Sequence, residues 1–523
     1  MDGSSKRNLQ GSQWISSRGW PLILLSALLA RLPGLGSKPL WYDEALAVLL
    51  SAKGLSAYLE ATLTVQQGVA ANVHPPAYFL LLWGWGELFG RGPLSVRALS
   101  VFCGLGTAAI GYWLARAALG ERAAAIAGWL LALSPFQVHY SQEVRMYGLL
   151  ALELTAAAAV YESALRRGGA TRWAAFAALA ATAQYTHALA FLFLLPLAVI
   201  PVWRRQWPQA VRTALSGAAA LLLYSPWMLR LPAQLARVQS AYWIQPPGAA
   251  DVLRSLVTMV GGSPLPGYAL PVALFTSLLM IVLGGRALLD GLRSGDRVAR
   301  WAGWAGYLAA SPLVLMFGVS LWHPVYLDRA MLPAGVALLV WFAWVLGSSR
   351  VPPLMRRTAA LALAAGFALG LFGYYTYRGF PYAPFDRLTE QLRAGLGPGE
   401  LILHSNKLSA IPAAYYAPDL EQRYLADPPG SPTDTLAPAT QRVLGLQTEP
   451  DISSAVGEAS GVWFVVFTRE RQEYADLGYQ EHPGLEWLQG RFGLQQSWQF
   501  GELELHYFAG SPDRAAGLQP GRP

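Results

Sequence analysis

Charged side chains are scarce in this sequence. Asp, Glu, Lys and Arg make up 13% of its 523 residues, whereas 54% are hydrophobic. A soluble globular chain carries about 25% charged residues, so a water-soluble enzyme of this size is excluded. Cysteine is nearly absent: the single Cys103 excludes a disulfide scaffold and any metal site built from several thiolates. No P-loop, no GxGxxG before a helix, no HExxH and no GxSxG occurs. Their absence argues against nucleotide hydrolysis, dinucleotide chemistry and the common hydrolases. There is no repeat of fixed period and no pair of Gly/Pro-broken helices of the transporter kind. What the chain does have, 20 Trp, 23 Tyr and 36 Pro, does not suit a disordered or low-complexity polypeptide. A polytopic membrane protein remains, and uncharged runs of spanning length support it.

Charge is also unevenly placed. Residues 376–523 hold 11 Lys+Arg and 18 Asp+Glu, a net of −7, and the remainder holds 28 and 13, a net of +15. The formal +8 is therefore no nucleic-acid signal; it joins a basic membrane part to an acidic soluble part. Residues 1–18 lack a cleavable-signal pattern, and Lys6, Arg7 and Arg18 suggest a cytoplasmic start before a retained helix.

A spanning helix needs about 20 mostly apolar residues, and cytoplasmic loops collect Lys and Arg. Eleven spans fit: about 19–36, 97–115, 123–139, 146–163, 172–186, 188–203, 211–229, 268–285, 301–320, 330–348 and 357–375. With this count every short loop dense in arginine falls on one side. Pro75–Gly90 is apolar but short and is expected to lie as an interfacial helix on the outer face, with Trp83 and Trp85 at the boundary. The expected fold is thus an α-helical polytopic membrane domain (19–375) whose outer loop 37–96 carries interfacial helices, followed by a small extracytoplasmic α/β domain (376–510) and a flexible tail (511–523). In the soluble part a helix at Phe385–Ala394 precedes strands at Glu400–His404 and Gly461–Thr468. Strands at Gln495–Phe500 and Glu502–Phe508 suit a hairpin, and Pro/Ser/Thr-rich 427–440 reads as a loop. A mainly parallel sheet with an antiparallel edge is expected.

Polar residues of unusual type gather on the outer side. Asp43-Glu44 follows the first span in an aromatic setting; one carboxylate of such a pair can serve as general base. Asp43 could equally be only a helix cap. His139 to Tyr147 is almost wholly polar between apolar helices. Glu143 and Arg145 there either pair with each other or frame a headgroup, because Arg suits phosphate bidentately. His74, stiffened by Pro75-Pro76, and His187, at an outward turn, lie on the same face. Arg329 opens a span at a helix N-terminus, where a cation opposes the helix dipole and wants an anion, either Asp328 or a ligand phosphate. Glu153, about two turns into the fourth span, reads as a protonated, hydrogen-bonded bundle residue. Arg31 reads as snorkelling first and a phosphate contact second.

Taken together these residues resemble the integral-membrane glycosyltransferases that use polyprenyl-phosphate sugars, with the GT-C-like fold. That superfamily includes protein O-mannosyltransferases and lipid A aminoarabinose transferases, and the likeness is nearest to its bacterial lipopolysaccharide-core transferase-like group. The resemblance covers roughly 19–345. It rests on Asp43-Glu44 after span one, His74-Pro75-Pro76-Ala77-Tyr78, Arg97-Ala98-Leu99-Ser100, Ser141 to Tyr147, and Tyr326-Leu327-Asp328-Arg329. Ala330 stands where many relatives carry Tyr after the Arg.

The resemblance implies an inverting transfer from a polyprenyl-phosphate sugar to an acceptor hydroxyl on a glycan, lipid or protein. Asp43 would be the base, with Glu44 and Glu143 as further catalytic carboxylates. The donor phosphate and substrate would be bound by Arg145, Arg329, His74, Tyr147, His139 and His187. No cofactor is implied, a divalent metal stays open, and no nucleic acid is involved. A bacterial-type plasma membrane, with the C-terminal domain outside, is the expected location. The alternatives are a lipid-linked-sugar flippase and a noncatalytic assembly scaffold. A transporter should place polar groups at mid-membrane on several helices, whereas this chain offers chiefly Glu153.

Overall fold

The computed structural model describes residues 19–64, 74–233, 244, 246–427 and 436–510. The expectations for 1–18 and for the tail beyond 510 lie outside these residues. A helix occupies each of the eleven expected spans: α1 (Gly19–Leu29), α5 (Pro93–Leu119), α6 (Glu121–Leu133), α8 (Tyr147–Arg167), α9 (Ala170–Thr186), α10 (Phe191–Trp203), α11 (Trp207–Met228), α13 (Leu270–Arg293), α14 (Arg297–Ser320), α15 (Leu332–Gly347) and α16 (Pro353–Thr376). Six of these stretches are long and apolar enough to cross a membrane unaided; the other five are shorter or less apolar. The chain is a multi-pass membrane protein. α15 is apolar all round because it is buried on nearly every face, packed among α6, α8 and α14, the pattern of a helix enclosed by others.

The expected span 123–139 is broken. α6 stops at Leu133, Pro135 begins a second helix, α7 (Pro135–Ser141), and the Gln137 N–H donates to Ser134 Oγ at 3.4 Å. Proline lacks the N–H that would continue α6, while Ser-Pro suits a helix start. His139, Tyr140 and Ser141, expected in an outer loop, therefore sit on a short buried helix, and only 142–146 form the bend into α8.

Arg31 corrects a second expectation. It is 1% exposed and does not snorkel. Its guanidinium donates to Ala27 O at 2.8 Å, Ala132 O at 2.9 Å and Leu131 O at 3.3 Å. It thereby ties together the C-terminal carbonyls of α1 and α6, where a cation also meets the negative helix ends.

The segment after α1 forms α2 (Tyr42–Ala52), α3 (Gly54–Leu63) and α4 (Ala77–Phe89). At 13 residues, α4 is about 20 Å long, short of a bilayer core of about 30 Å. It buries Tyr78, Phe79 and Leu82 against α2 and α5 and exposes Leu81, Trp83 and Leu88. An amphipathic helix, α12 (Ala249–Gly261), packs against α7, α13 and α16.

The C-terminal domain holds α17 (Phe385–Gly395), then β1 (Glu400–His404), α18 (Lys407–Tyr416), β2 (Gln422–Leu425), α19 (Pro438–Leu444), β3 (Gln447–Glu449), β4 (Gly461–Phe467), β5 (Gly493–Phe500) and β6 (Leu503–Ala509). The sheet order is β3-β2-β1-β4-β6-β5. The first four of these strands pair in parallel, and β6 and β5 add an antiparallel edge, as expected. β2 and β3 escape sequence reading because four and three residues are too few to carry an alternation. The expected loop 427–440 ends early, since α19 starts at Pro438.

This domain rests on the segment that carries α2 and α3. α18 packs on α2, and α19 on α3. The Leu40 N–H donates to Tyr416 Oη at 3.0 Å, Tyr415 Oη donates to Arg91 O at 2.8 Å, and Thr440 Oγ1 to Ala61 O at 3.2 Å. The C-terminal domain thus steadies the segment that leads into Asp43.

Candidate active site

A buried ion pair organises the loop before α2. Arg97 of α5 donates to both oxygens of Glu44, at 2.9 and 2.6 Å, and the same guanidinium donates to Leu35 O, Lys38 O and Pro39 O at 3.0, 2.6 and 3.0 Å. Glu44 Oε1 also accepts the Val144 N–H at 3.0 Å. A fork–fork Arg–carboxylate pair is directional as well as strong. It fixes three pieces of chain against one another: loop 35–39, the start of α2 and the bend 142–146. Both oxygens of Glu44 are engaged by these bonds.

Its neighbour Asp43 is placed differently. The N-cap of α2 is Trp41, and no side chain caps that end, which overturns the cap-only reading of Asp43. Asp43 Oδ2 lies 3.0 Å from Arg329 Nη1 and 3.8 Å from Arg145 Nε. The anion sought by Arg329 is therefore Asp43, not the adjacent Asp328, which accepts from Ser255 Oγ and lies 3.9 Å from Arg254. Arg145 Nη2 meets His74 Nε2 at 3.2 Å. Behind His74 the ring of His187 is 5.6 Å away, and Tyr147 lies 5.8 Å from His187 and 5.5 Å beneath the Arg329 guanidinium. Residues from five separated segments converge here: the start of α2, the lead into α4, the α7–α8 bend, the α9–α10 turn and the turn before α15.

Glu143 completes the cluster. It is 4% exposed, and its Oε2 has no hydrogen-bond partner among the described residues. No ion pair links it to Arg145, so that alternative falls. Burial pushes its carboxyl up to about 7, against Arg329; Glu44 and Asp43 nearby also raise it. Tyr147 Oη and His187 Nε2 are likewise buried without partners among the described residues. Buried polar groups are normally satisfied, so several orphans around one spot mark a place that water or a ligand fills.

His139 belongs to a flank of the site, not to the arginine cluster. Its ring stacks on Tyr140 at 4.6 Å and on Tyr374 at 4.7 Å. On the far side of Tyr374 sits Lys38, whose Nζ lies 4.3 Å from that ring and 3.9 Å from the ring of Tyr382. Sequence reasoning missed Lys38, Tyr374 and Tyr382. A signal existed for the first: the chain has only four lysines, and this one precedes Asp43 by five positions. Burial lowers its ammonium to about 8. Glu153 lies apart, facing Thr182 and Thr186 of α9, with Oε2 unpartnered among the described residues. Among the described residues no group of three or more His, Cys, Asp or Glu side chains is placed to hold a metal ion.

Residues 73–229, which supply His74, Arg97, Glu143, Arg145 and His187, match the family described as dolichyl-phosphate-mannose-protein mannosyltransferase. The chain is similar in structure to ArnT from Cupriavidus metallidurans in the apo state, with a TM-score of 0.60 and 16% identity over 96% of this chain and 100% of that one. The chain shares the fold of ArnT. The same ArnT bound to undecaprenyl phosphate gives a TM-score of 0.59 and 16% identity over 94% and 98%. The GT-C-like likeness extends to the archaeal oligosaccharyltransferase AglB from Archaeoglobus fulgidus in complex with an inhibitory peptide and a dolichol-phosphate. There the TM-score is 0.51 and the identity 11%, over 95% of this chain and 75% of that one. No curated protein sequence matches significantly.

Proposed function

We propose that this protein transfers a sugar from a polyprenyl-phosphate donor to an acceptor hydroxyl, with inversion, at the outer face of the membrane. The observation that carries the reading is the Asp43 carboxylate lying between two guanidiniums, that of half-buried Arg329 and that of buried Arg145. Without donor, the two cations hold an internal anion. With donor, the phosphate replaces Asp43 between them and leaves the carboxylate unpaired. Asp43 then takes the proton of the acceptor hydroxyl as the acceptor oxygen bonds to the anomeric carbon. The bond from that carbon to the phosphate oxygen breaks, and the polyprenyl phosphate leaves with its added charge balanced by Arg145 and Arg329. Glu44 acts through Arg97 as a positioning residue. Binding of undecaprenyl phosphate by ArnT and of dolichol-phosphate by AglB supports a lipid-phosphate donor here. The asymmetry of arginine between loops supports a site facing away from the cytoplasm.

One observation favours a second assignment within the same reaction. Glu143 Oε2 is buried without a partner among the described residues, and the carboxyl is raised to about 7, so near neutral pH its deprotonated form is a stronger base than an ordinary carboxylate and can take the acceptor proton instead of Asp43. Membranes containing the protein, incubated with a panel of polyprenyl-phosphate sugars and analysed by mass spectrometry for glycosylated product, test the proposal. Product formed only when Asp43, Arg145 and Arg329 are intact is the expected result. Product that persists in all three variants would place the chemistry elsewhere.

A further inference from the structure

The turn between α9 and α10 presents a side chain whose hydrogen-bonding state its own backbone decides. His187 caps the following 3₁₀ turn: the Leu189 N–H donates to His187 Nδ1 at 3.1 Å. An Nδ1 that accepts has no proton, so the proton of the neutral ring resides on Nε2. The ring is 5% exposed, and burial together with Arg145 and Arg329 lowers its basicity to about 3, which keeps it neutral at physiological pH. Its Nε2–H is then a donor, enclosed and without a partner among the described residues. Tyr147, on the adjoining α8 start, holds a second such group: it is 1% exposed, and its hydroxyl has no partner among the described residues. The rings are 5.8 Å apart, beside the Arg145–Asp43–Arg329 cluster.

We infer that His187 Nε2–H and the Tyr147 hydroxyl form a neutral subsite that hydrogen-bonds the sugar of the donor and so sets which sugar is accepted. The inference rests on the donor-binding reading above and deepens it. Charge on the phosphate is already met by two arginines. Neutral donors add direction without adding charge, which suits hydroxyl and ring oxygens of a sugar. A buried donor without an acceptor is costly, and a sugar oxygen removes that cost, whereas a ligand lacking an oxygen there does not.

The test compares binding of undecaprenyl phosphate with that of its mannosyl, glucosyl and galactosyl esters by the wild type and three variants. His187→Asn keeps an acceptor for the Leu189 N–H but has no donor at the Nε2 position. His187→Gln restores an N–H near that position. Tyr147→Phe keeps the ring under Arg329 and removes the hydroxyl. At least one ester is expected to bind the wild type more tightly than the free phosphate. That preference should fall by about tenfold in His187→Asn and Tyr147→Phe and return in part in His187→Gln, with undecaprenyl phosphate affinity unchanged throughout. Equal loss for ester and free phosphate would assign the two groups to the phosphate and overturn the inference, as would an unchanged preference or the lack of any preference. Arg145→Ala serves as the separate control: if it leaves undecaprenyl phosphate affinity intact, the donor-site reading itself fails.

Discussion

Asp43 and Arg329, 286 positions apart, meet at 3.0 Å between Oδ2 and Nη1. That contact joins the segment after α1 to the turn before the enclosed helix α15. It puts the candidate base and a candidate phosphate anchor into one ion pair, so the occupancy of one governs the availability of the other.

Removing an anchor should weaken donor binding selectively. Charge-assisted hydrogen bonds contribute about 1.5–3 kcal/mol. Arg329→Ala and Arg145→Ala are therefore each expected to raise the dissociation constant of a nonreactive polyprenyl-phosphate analogue by about 10- to 100-fold. Titration of purified protein with that analogue checks this; wild-type affinity in both variants would move the phosphate away from these residues.

The Arg97–Glu44 pair should matter for folding more than for the reaction. Breaking a buried pair by removing one partner costs about 3–5 kcal/mol, because the other charge is left without compensation. Glu44→Ala is expected to lower the thermal midpoint in detergent clearly, and Glu44→Gln to lower turnover less than Asp43→Asn does. A Glu44→Ala protein as stable as wild type would remove the stapling role.

Glu143 gives a pH signature. Its carboxyl is raised from the ordinary value of 4.5 to about 7, so the folded protein binds more protons than the unfolded chain between those values. Its contribution to stability is present below 4.5 and lost as pH rises through about 7. Thermal midpoints of wild type, compared with Glu143→Gln across pH 4 to 8, should show an extra decline over that window in wild type alone. Parallel curves would mean that Glu143 is not buried as an acid.

Orientation can be read by labelling. Single cysteines replacing Leu55 and Pro450, both exposed, are expected to react with an impermeant reagent on intact cells, and one replacing exposed Ser294 is not. The reverse pattern would turn the site toward the cytoplasm and deny it the proposed topology.

Much of this arrangement was legible in the sequence because the membrane simplifies the code. Long apolar runs and arginine-rich loops mark spans directly, so all eleven segments carry helices. Glu143, Arg145, His74 and Arg329 stood out because polar residues at the edge of apolar helices are costly and few. Partners were not legible. Nothing in the order of residues says that Glu44 binds Arg97 while Asp43 binds Arg329, since both choices depend on how α2 is rotated once loop 35–39 is pinned. The break at Ser134-Pro135 was a readable signal that the apolar run around it concealed. Tyr374 and Tyr382 were hidden because they meet the site only through tertiary packing, whereas Lys38 carried the signal of a rare lysine close to Asp43 in the sequence.

Asp43→Asn is the most direct test of the proposed chemistry. Asparagine keeps the size and much of the hydrogen bonding of aspartate but takes up no proton at neutral pH, and it no longer competes as an anion for Arg145 and Arg329. Turnover and polyprenyl-phosphate affinity should be measured together, with Glu143→Gln alongside. Turnover of Asp43→Asn is expected to fall by about 10²–10⁴, with donor-analogue affinity equal to or tighter than wild type. Wild-type turnover in Asp43→Asn, with loss in Glu143→Gln, would contradict the assignment of Asp43 and make Glu143 the base.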